Sequence, residues 1–326
     1  MPQFLLQTAL VGLGAGTCSA LLLASWLSGS AIALVLVFLA PLPILIATMG
    51  WSHWAGLAAT VVAALASGAA FEPSDFLSVL YGVGLPAWWL GYLALLARPA
   101  GPAGELEWYP PGRLVLWCAI LCTLVTMVEL IQLAEGGAAV ADALRASFQK
   151  VLRAQMHIPD GEPLTMPGVD DPNRVIDVLV IVFPAMAAAL ATLVELINVA
   201  LAARIVSVSG RLRRPWPDLA TMRLPLATPA ALAAALAGSF LPDIAGTAAA
   251  VAAGCLLVAY AALGFAVLHG VTRHLRSRAL VLAGVYALVA VLWWPLLLMT
   301  LLGLIDTAFD LRARVAATRG PPSPLA

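Results

Sequence analysis

Charge is scarce in this sequence: Asp, Glu, Lys and Arg together make up 10% of its 326 residues. Lysine occurs once, as Lys150, and no Lys or Arg precedes Arg98. Soluble domains carry about 25% charged residues, so a water-soluble globular fold is excluded. Without a basic n-region, MPQFLLQTALVG does not read as a cleavable signal peptide and is more simply a first membrane helix. Recognisable catalytic patterns are missing too. There is no HExxH, no GxSxG and no GxxxxGK[ST], and His53, His157, His269 and His274 lie apart. An enzyme is therefore not predicted, and an ATP-driven cycle would need a partner subunit. No basic patch with interleaved aromatics points to nucleic acid. Cysteine is sparse: Cys18, Cys118, Cys122 and Cys255 all fall in apolar runs, without the histidines that would complete a four-ligand metal site. No metal or cofactor is predicted.

Apolar surface is what the chain has in excess, with 62% hydrophobic residues and a mean hydropathy of +0.98. Apolar runs of 18 or more residues recur, and each can cross a hydrocarbon core of ~30 Å. Continuous Ala/Leu blocks are not the short alternating strands of a β-barrel. The expected fold is all-α, a polytopic transmembrane helical bundle of eight or nine spans forming a single integral membrane domain over 1–326. Candidate spans are about 5–27, 31–49, 53–70, 76–97, 114–134, 175–203, 226–241, 244–271 and 279–305. The stretch 226–241 reaches only ~24 Å at ~1.5 Å per residue, short enough to be re-entrant.

Three polar segments interrupt these blocks. Residues 98–113 contain GELEWYPPGRL, in which Trp108, Tyr109 and Arg113 read as an interfacial anchor and Pro110-Pro111 as the stiff entry to a helix. Residues 135–174 begin with an amphipathic helix, Val140, Leu144, Phe148, Val151 and Leu152 on one face and Arg145 on the other. Residues 204–225 carry five arginines, which the positive-inside rule places in the cytoplasm. Counting back makes 135–174 extracytoplasmic and the N-terminus cytoplasmic. The C-terminal half stays open, because Arg273, Arg276 and Arg278 compete with Arg312, Arg314 and Arg319 for the inner side.

Within the spans, TMVELIQLA (126–134) and TLVELINVA (192–200) each place a carboxyl and an amide on one helix face, Glu129 with Gln132 and Glu195 with Asn198. Intramembrane acids normally mark a substrate, ion or proton path, so these four are the candidate binding residues; the alternative is packing alone. Pro41 and Pro43 in the second span, and Gly84 and Pro86 in the fourth, break helices in a way that can shape a pocket or merely kink the chain. Trp88-Trp89 and Trp293-Trp294 could stack on a ligand or fill the bundle. The stripe Gly12, Gly16, Ala20, Ala24 allows close approach of another helix, from this chain or a second subunit.

The stretches LAPLPILIATMGW (39–51), EWYPPGRL (107–114), PWPDLATMRLP (215–225) and, more weakly, DLRAR (310–314) resemble the YybS-like bacterial inner-membrane family of unknown function (DUF2232), alphaproteobacterial type. That family is similar, more distantly, to the substrate-binding subunits of energy-coupling-factor transporters, whose first helix offers an Ala-x-x-x-Ala stripe to a coupling protein. Ala20 and Ala24 fit that spacing, although this chain has more spans than the usual six. The resemblance implies a bacterial inner-membrane location and no particular activity. It is the intramembrane acids and the broken second and fourth helices that point to transport-related binding of a small solute, with a membrane or cytoplasmic partner subunit required if ATP drives it. The competing reading is a non-transporting scaffold or envelope assembly factor, surrounded like the first by the lipid bilayer.

Overall fold

Long Leu/Ala/Val runs without charge satisfy their backbone internally, and in hydrocarbon that requirement selects helices. A computed structural model of the chain describes residues 2–100, 105–134, 139–159, 162, 164–165, 168–292 and 294–317. Parts of the 135–174 segment, Trp293 and Arg319 lie outside the described residues. The helices are α1 (Pro2–Ala24), α2 (Ala31–Phe38), α3 (Pro41–Gly50), α4 (His53–Ala70), α5 (Pro73–Val79), α6 (Leu85–Ala94) and α7 (Pro111–Leu133). They continue as α8 (Val140–Met156), α9 (Pro172–Val208), α10 (Thr228–Gly238), α11 (Asp243–Val271), α12 (Arg278–Leu292), α13 (Pro295–Phe309) and α14 (Leu311–Ala317). Before α7 stands an antiparallel hairpin, β1 (Ala97–Ala100) with β2 (Glu105–Trp108), Ala97 opposite Trp108.

The protein is a polytopic all-α bundle in which, among the described residues, seven helical segments are long and apolar enough to cross a membrane. Two of the nine expected spans resolve differently. The run 226–241 yields only α10, 11 residues long, and 279–305 is two helices of 15 residues each. The division falls at Pro295, whose ring and missing N–H cannot continue α12. Uniformly apolar residues on both sides concealed it.

The chain forms two compact units, to which α7, α9 and α11 each contribute part of their length. The first unit comprises residues 1–118, 192–226 and 258–326. In it the stripe on α1 packs against the same chain: a Cβ on Gly12 would meet Ala58, and one on Gly16 would meet Val62 and the Ala59 carbonyl. The helix breaks are stitched by polar side chains. At Pro41 the ladder between α2 and α3 lapses; Asn198 Nδ2 donates to the freed Phe38 carbonyl at 2.8 Å, and Ser19 Oγ to the Ala40 carbonyl at 2.7 Å. Between α5 and α6 a π-helical turn, Leu80–Gly84, precedes Pro86, and Thr60 Oγ1 donates to the Gly84 carbonyl at 3.0 Å. Asn198→Leu should therefore cost about 1–3 kcal/mol by leaving a buried carbonyl unpaired, measurable as a lower unfolding midpoint of the purified protein.

Later in this unit the chain doubles back. Phe265 stacks on Tyr286 with ring centroids 5.1 Å apart, so α12 returns along α11. Then α13 crosses α11 where Gly303 meets the Tyr260 carbonyl, and Arg312 reaches Gly270 near the end of α11. The α12–α13 hairpin thus returns the chain to the end it left. Arg273, Arg278 and Arg312 consequently share one end of the unit with the 209–226 loop.

The second unit comprises residues 119–191 and 227–257. Here α9 and α11 approach closely, Gly254 against the Ala185 carbonyl, and Cys255 Sγ donates to the Ala188 carbonyl at 3.6 Å. Helix α8 forms where its periodicity predicts, with Leu144 buried and Phe148 edge-on to Phe183 at 5.2 Å. Arg145, expected to face away, pairs instead with Asp177, so α8 docks on α9 through polar as well as apolar contacts.

Candidate functional site

The four polar residues singled out within the spans fall in different environments. Glu129 and Gln132 are exposed on α7 in the second unit. Glu195 and Asn198 are buried in the first, at 8% and 1% exposure. Asn198 spends its amide on Phe38 and on the Val194 carbonyl, 2.9 Å away, rather than on Glu195. Glu195 Oε1 and Asn198 Oδ1 have no partner among the described residues. Buried unsatisfied oxygens are rare and call for an occupant or a function. Of the pocket-shaping candidates, Pro41 and Pro86 are buried and Pro43 and Gly84 lie beside them in the same breaks. Trp88 and Trp89 join Tyr92 and Trp117 in an aromatic cluster, and Trp117 Nε1 donates to Tyr109 Oη at 2.9 Å. Tyr109 thus braces the end of the hairpin against α7, Trp108 stands opposite Ala97 in the hairpin, and Arg113 is exposed.

The first unit contains a cavity of about 680 Å³ at its arginine-rich end. Helix α9 gives it Leu196, Val199, Ala200 and Ala203, and Glu195 lies one turn before Val199 on the same face. Met49, Leu90, Val115 and Cys118 supply further apolar wall from α3, α6 and α7. Phe265 and Ala266 of α11 complete it. The loop after α9 folds back over these helix ends and contributes Arg214, Trp216, Asp218, Ala220 and Met222.

The cover is pinned from several sides. Arg273 pairs with Asp218 through two contacts of 2.7 Å, and Arg223 with Asp310 through two of 3.0 Å. Arg312 is the most fully used group. Its guanidinium donates to Asp306 Oδ2 and to the Ala220 and Met222 carbonyls, and its backbone N–H donates to Asp306 Oδ1, all within 3.1 Å. Gly112 permits the close passage of the loop over α7, since a Cβ there would lie 1.9 Å from the Arg223 carbonyl oxygen. Beneath, Arg211 sits over the Trp51 ring at 4.3 Å, a cation–π contact.

Polar groups converge on the mouth. Tyr286 Oη and His269 Nε2 are 2.9 Å apart, and Arg278 Nη2 faces His269 Nδ1 at 3.4 Å. Since the guanidinium can only donate, His269 accepts at Nδ1 and, in its neutral form, donates from Nε2 to Tyr286. The phenol hydrogen is then left free for the cavity that Tyr286 lines. Arg214 donates to the Ala94 carbonyl at 3.2 Å, and burial lowers its pKa. Neither Arg214 nor Arg278 has a carboxylate partner among the described residues.

Hydrogen bonding from Arg273 holds the Asp218 carboxyl below its ordinary value of 3.8, with the Ala220 amide adding to the effect. A depressed folded pKa gives stability that is present above the unfolded value and lost as pH falls through the folded one. Acidification below about pH 4 should therefore release this strap first, seen as faster amide hydrogen exchange over 215–223. The pair is exposed, so the accompanying change in stability should stay within about 1 kcal/mol.

Residues 39–51, 107–114, 215–225 and 310–314, which carry the family resemblance, all reach this end of the unit. Met49, Pro111, Leu114 and Trp216 line the cavity, and Arg312 fixes its cover. The loop arginines and Asp306 were not read as site residues from the sequence. An acid six residues before Arg312, at the end of the last apolar run, was the available signal. Among the described residues no cluster of His, Cys, Asp or Glu could hold a metal ion. A family described as "Predicted membrane protein (DUF2232)" has a model that matches residues 18–307. No curated protein and no solved structure matches the chain.

Proposed function

The chain belongs to this family of predicted membrane proteins, and from that premise we propose that it is a transport-related protein binding a small solute in the cavity of its first unit. The observation that carries the reading is the cavity itself. Its ~680 Å³ falls within the range of about 300–1,000 Å³ typical of ligand sites, as does its pairing of apolar walls with a few convergent polar groups. Glu195, one turn before the wall residue Val199 and with Oε1 unpartnered among the described residues, is proposed as its inner polar edge, although neither Glu195 nor Asn198 is itself a lining residue. Glu129 and Gln132, exposed in the other unit, are not part of this site.

The location proposed is a bacterial inner membrane with the arginine-rich end in the cytoplasm, following the positive-inside rule. The return of α12 and α13 supports this, because it removes the competition between the two C-terminal arginine clusters. The N-terminus then shares that side, since α1 and α4 run in the same direction and α3 arrives beside Arg211 at Trp51. The YybS-like relationship fits this picture. The distant likeness to energy-coupling-factor subunits fits solute binding, but docking through the α1 stripe is no part of the proposal, because α4 occupies Gly12 and Gly16.

A thermal-shift screen of the purified protein against vitamins, metabolites and amphiphiles tests the reading. At least one compound should raise the melting temperature of wild type. The shift should vanish in Ala203→Trp, which fills the cavity, and fall sharply in Glu195→Gln, while Glu129→Gln keeps it. A shift that persists in Ala203→Trp, or none with any compound, would favour a non-transporting scaffold.

A further inference from the structure

The composition of the cavity says more about its occupant than that it is small. Its walls are aliphatic and aromatic over most of their extent: Leu90, Val115, Leu196, Val199, Phe265 and Ala266 carry no charge and no free donor. Its charged groups are confined to the mouth. There Arg214, Arg273 and Arg278 face a single carboxylate, Asp218, and Arg273 already neutralises it through two 2.7 Å contacts. Two guanidiniums are left over.

Neither is idle for want of burial. Among the described residues Arg278 Nε is shielded from solvent without a partner, and the guanidinium makes one polar contact, a 3.4 Å approach to a histidine ring nitrogen. Among the same residues Arg214 meets only a backbone carbonyl. Guanidinium remains charged in any such setting and presents a planar fork suited to phosphate or carboxylate oxygens. The free Tyr286 hydroxyl hydrogen adds a neutral donor beside it. Three donors of this kind around one mouth describe the receiver of an anion.

Position supplies the remaining constraint. Arg214 and Arg273 sit in loops just beyond α9 and α11, and Arg278 opens α12, where headgroups lie. The apolar walls are one to three turns deeper, in hydrocarbon. An anionic group at the mouth is thus continuous with an apolar chain among the walls.

We propose that the occupant is an anionic amphiphile of the lipid type, with a phosphate-like head held by Arg214, Arg278 and Tyr286 and an aliphatic tail in the cavity. This rests on the solute-binding reading above and narrows it to one chemistry. A free phosphate would satisfy the mouth but leave the walls empty; a neutral lipid would fill the walls but leave the arginines uncompensated.

The test uses the full-length protein in nanodiscs of phosphatidylcholine, with binding followed by native mass spectrometry. Dodecyl phosphate, dodecanol and inorganic phosphate serve as probes, against wild type, Arg278→Gln, Arg214→Gln and Ala203→Trp. Dodecyl phosphate should bind wild type at one site, at least tenfold more tightly than either other probe. Each arginine substitution should weaken it about tenfold or more, and Ala203→Trp should abolish it, with the melting temperature of each variant confirming that it is folded. Equal binding of dodecanol, unaffected by Arg278→Gln, would overturn the anionic head while leaving solute binding intact. Equal binding of inorganic phosphate would overturn the tail. If none of the three probes binds wild type while another compound gives a cavity-dependent thermal shift, the amphiphile is wrong and the cavity reading stands.

Discussion

Arg312→Ala should destabilise the protein by about 3–5 kcal/mol, because it strands Asp306 as a buried charge without its partner. Asp306 is 3% exposed; the Arg312 guanidinium meets its Oδ2 twice, whereas its Oδ1 is met by the Arg312 backbone N–H, which alanine would keep. The same substitution removes two donors from the cover, at the Ala220 and Met222 carbonyls. Two results are therefore expected together: a large fall in the unfolding midpoint and loss of any ligand-dependent thermal shift. The paired change Asp306→Leu with Arg312→Met separates them. Replacing a buried ion pair by apolar residues of similar volume is often neutral or stabilising, so the midpoint should recover by most of the loss. The ligand shift should not recover, because methionine cannot donate to the loop carbonyls. Recovery of both would mean that the cover is held by Asp218 and Asp310 alone.

Gly264→Val should be the most damaging single change outside the ion pair. A Cβ at position 264 would stand 1.8 Å from the Met299 carbonyl oxygen, and one at Gly303 would stand 2.2 Å from that of Tyr260. These obstacles are backbone atoms in a helix crossing, so no rotamer change relieves them; α11 and α13 must part. Overpacking of a tight core typically costs about 1–3 kcal/mol and sometimes more, and here the upper end or beyond is expected. Separation of the two helices also draws Arg312 from the cover, so ligand binding should fall with stability. Gly284→Ala is the control, since nothing lies within 4 Å of a Cβ there. It should leave the melting temperature unchanged or raise it slightly through helix propensity. A wild-type midpoint for Gly264→Val would contradict the crossing.

The helices were legible in the sequence because an uncharged apolar run has one stable answer in hydrocarbon. Their number was less so. Pro295 ends one helix and starts another amid Leu and Val on both sides, and hydropathy carries no sign of a reversal. Glu195 was legible as a buried acid, whereas Glu129, in nearly the same nine-residue context, lies exposed. Local sequence is identical in kind at the two positions, and only the neighbours brought by the fold distinguish them. The cavity was not legible at all. Its mouth depends on a loop folding back across helix ends, where Arg223 passes over Gly112 of α7, Asp218 meets Arg273 just after α11, and Arg223 meets Asp310 just after α13. The arginines of that loop read as an orientation signal; the anion-binding role proposed for Arg214, with Arg278 at the start of α12, rests on the lack of a carboxylate partner for either among the described residues.

The place of Arg312 in chain order has a consequence for biogenesis. Among the described residues the last to line the cavity is Tyr286, and the clamp that pins the cover lies beyond it, at Asp306 and Arg312. At about 5–20 residues per second of synthesis, the walls exist for on the order of seconds before the clamp can close. If the proposed amphiphile is the ligand, it would enter the nascent protein during that interval and be closed in when α14 forms, and the bound molecule would then record the membrane in which translation took place.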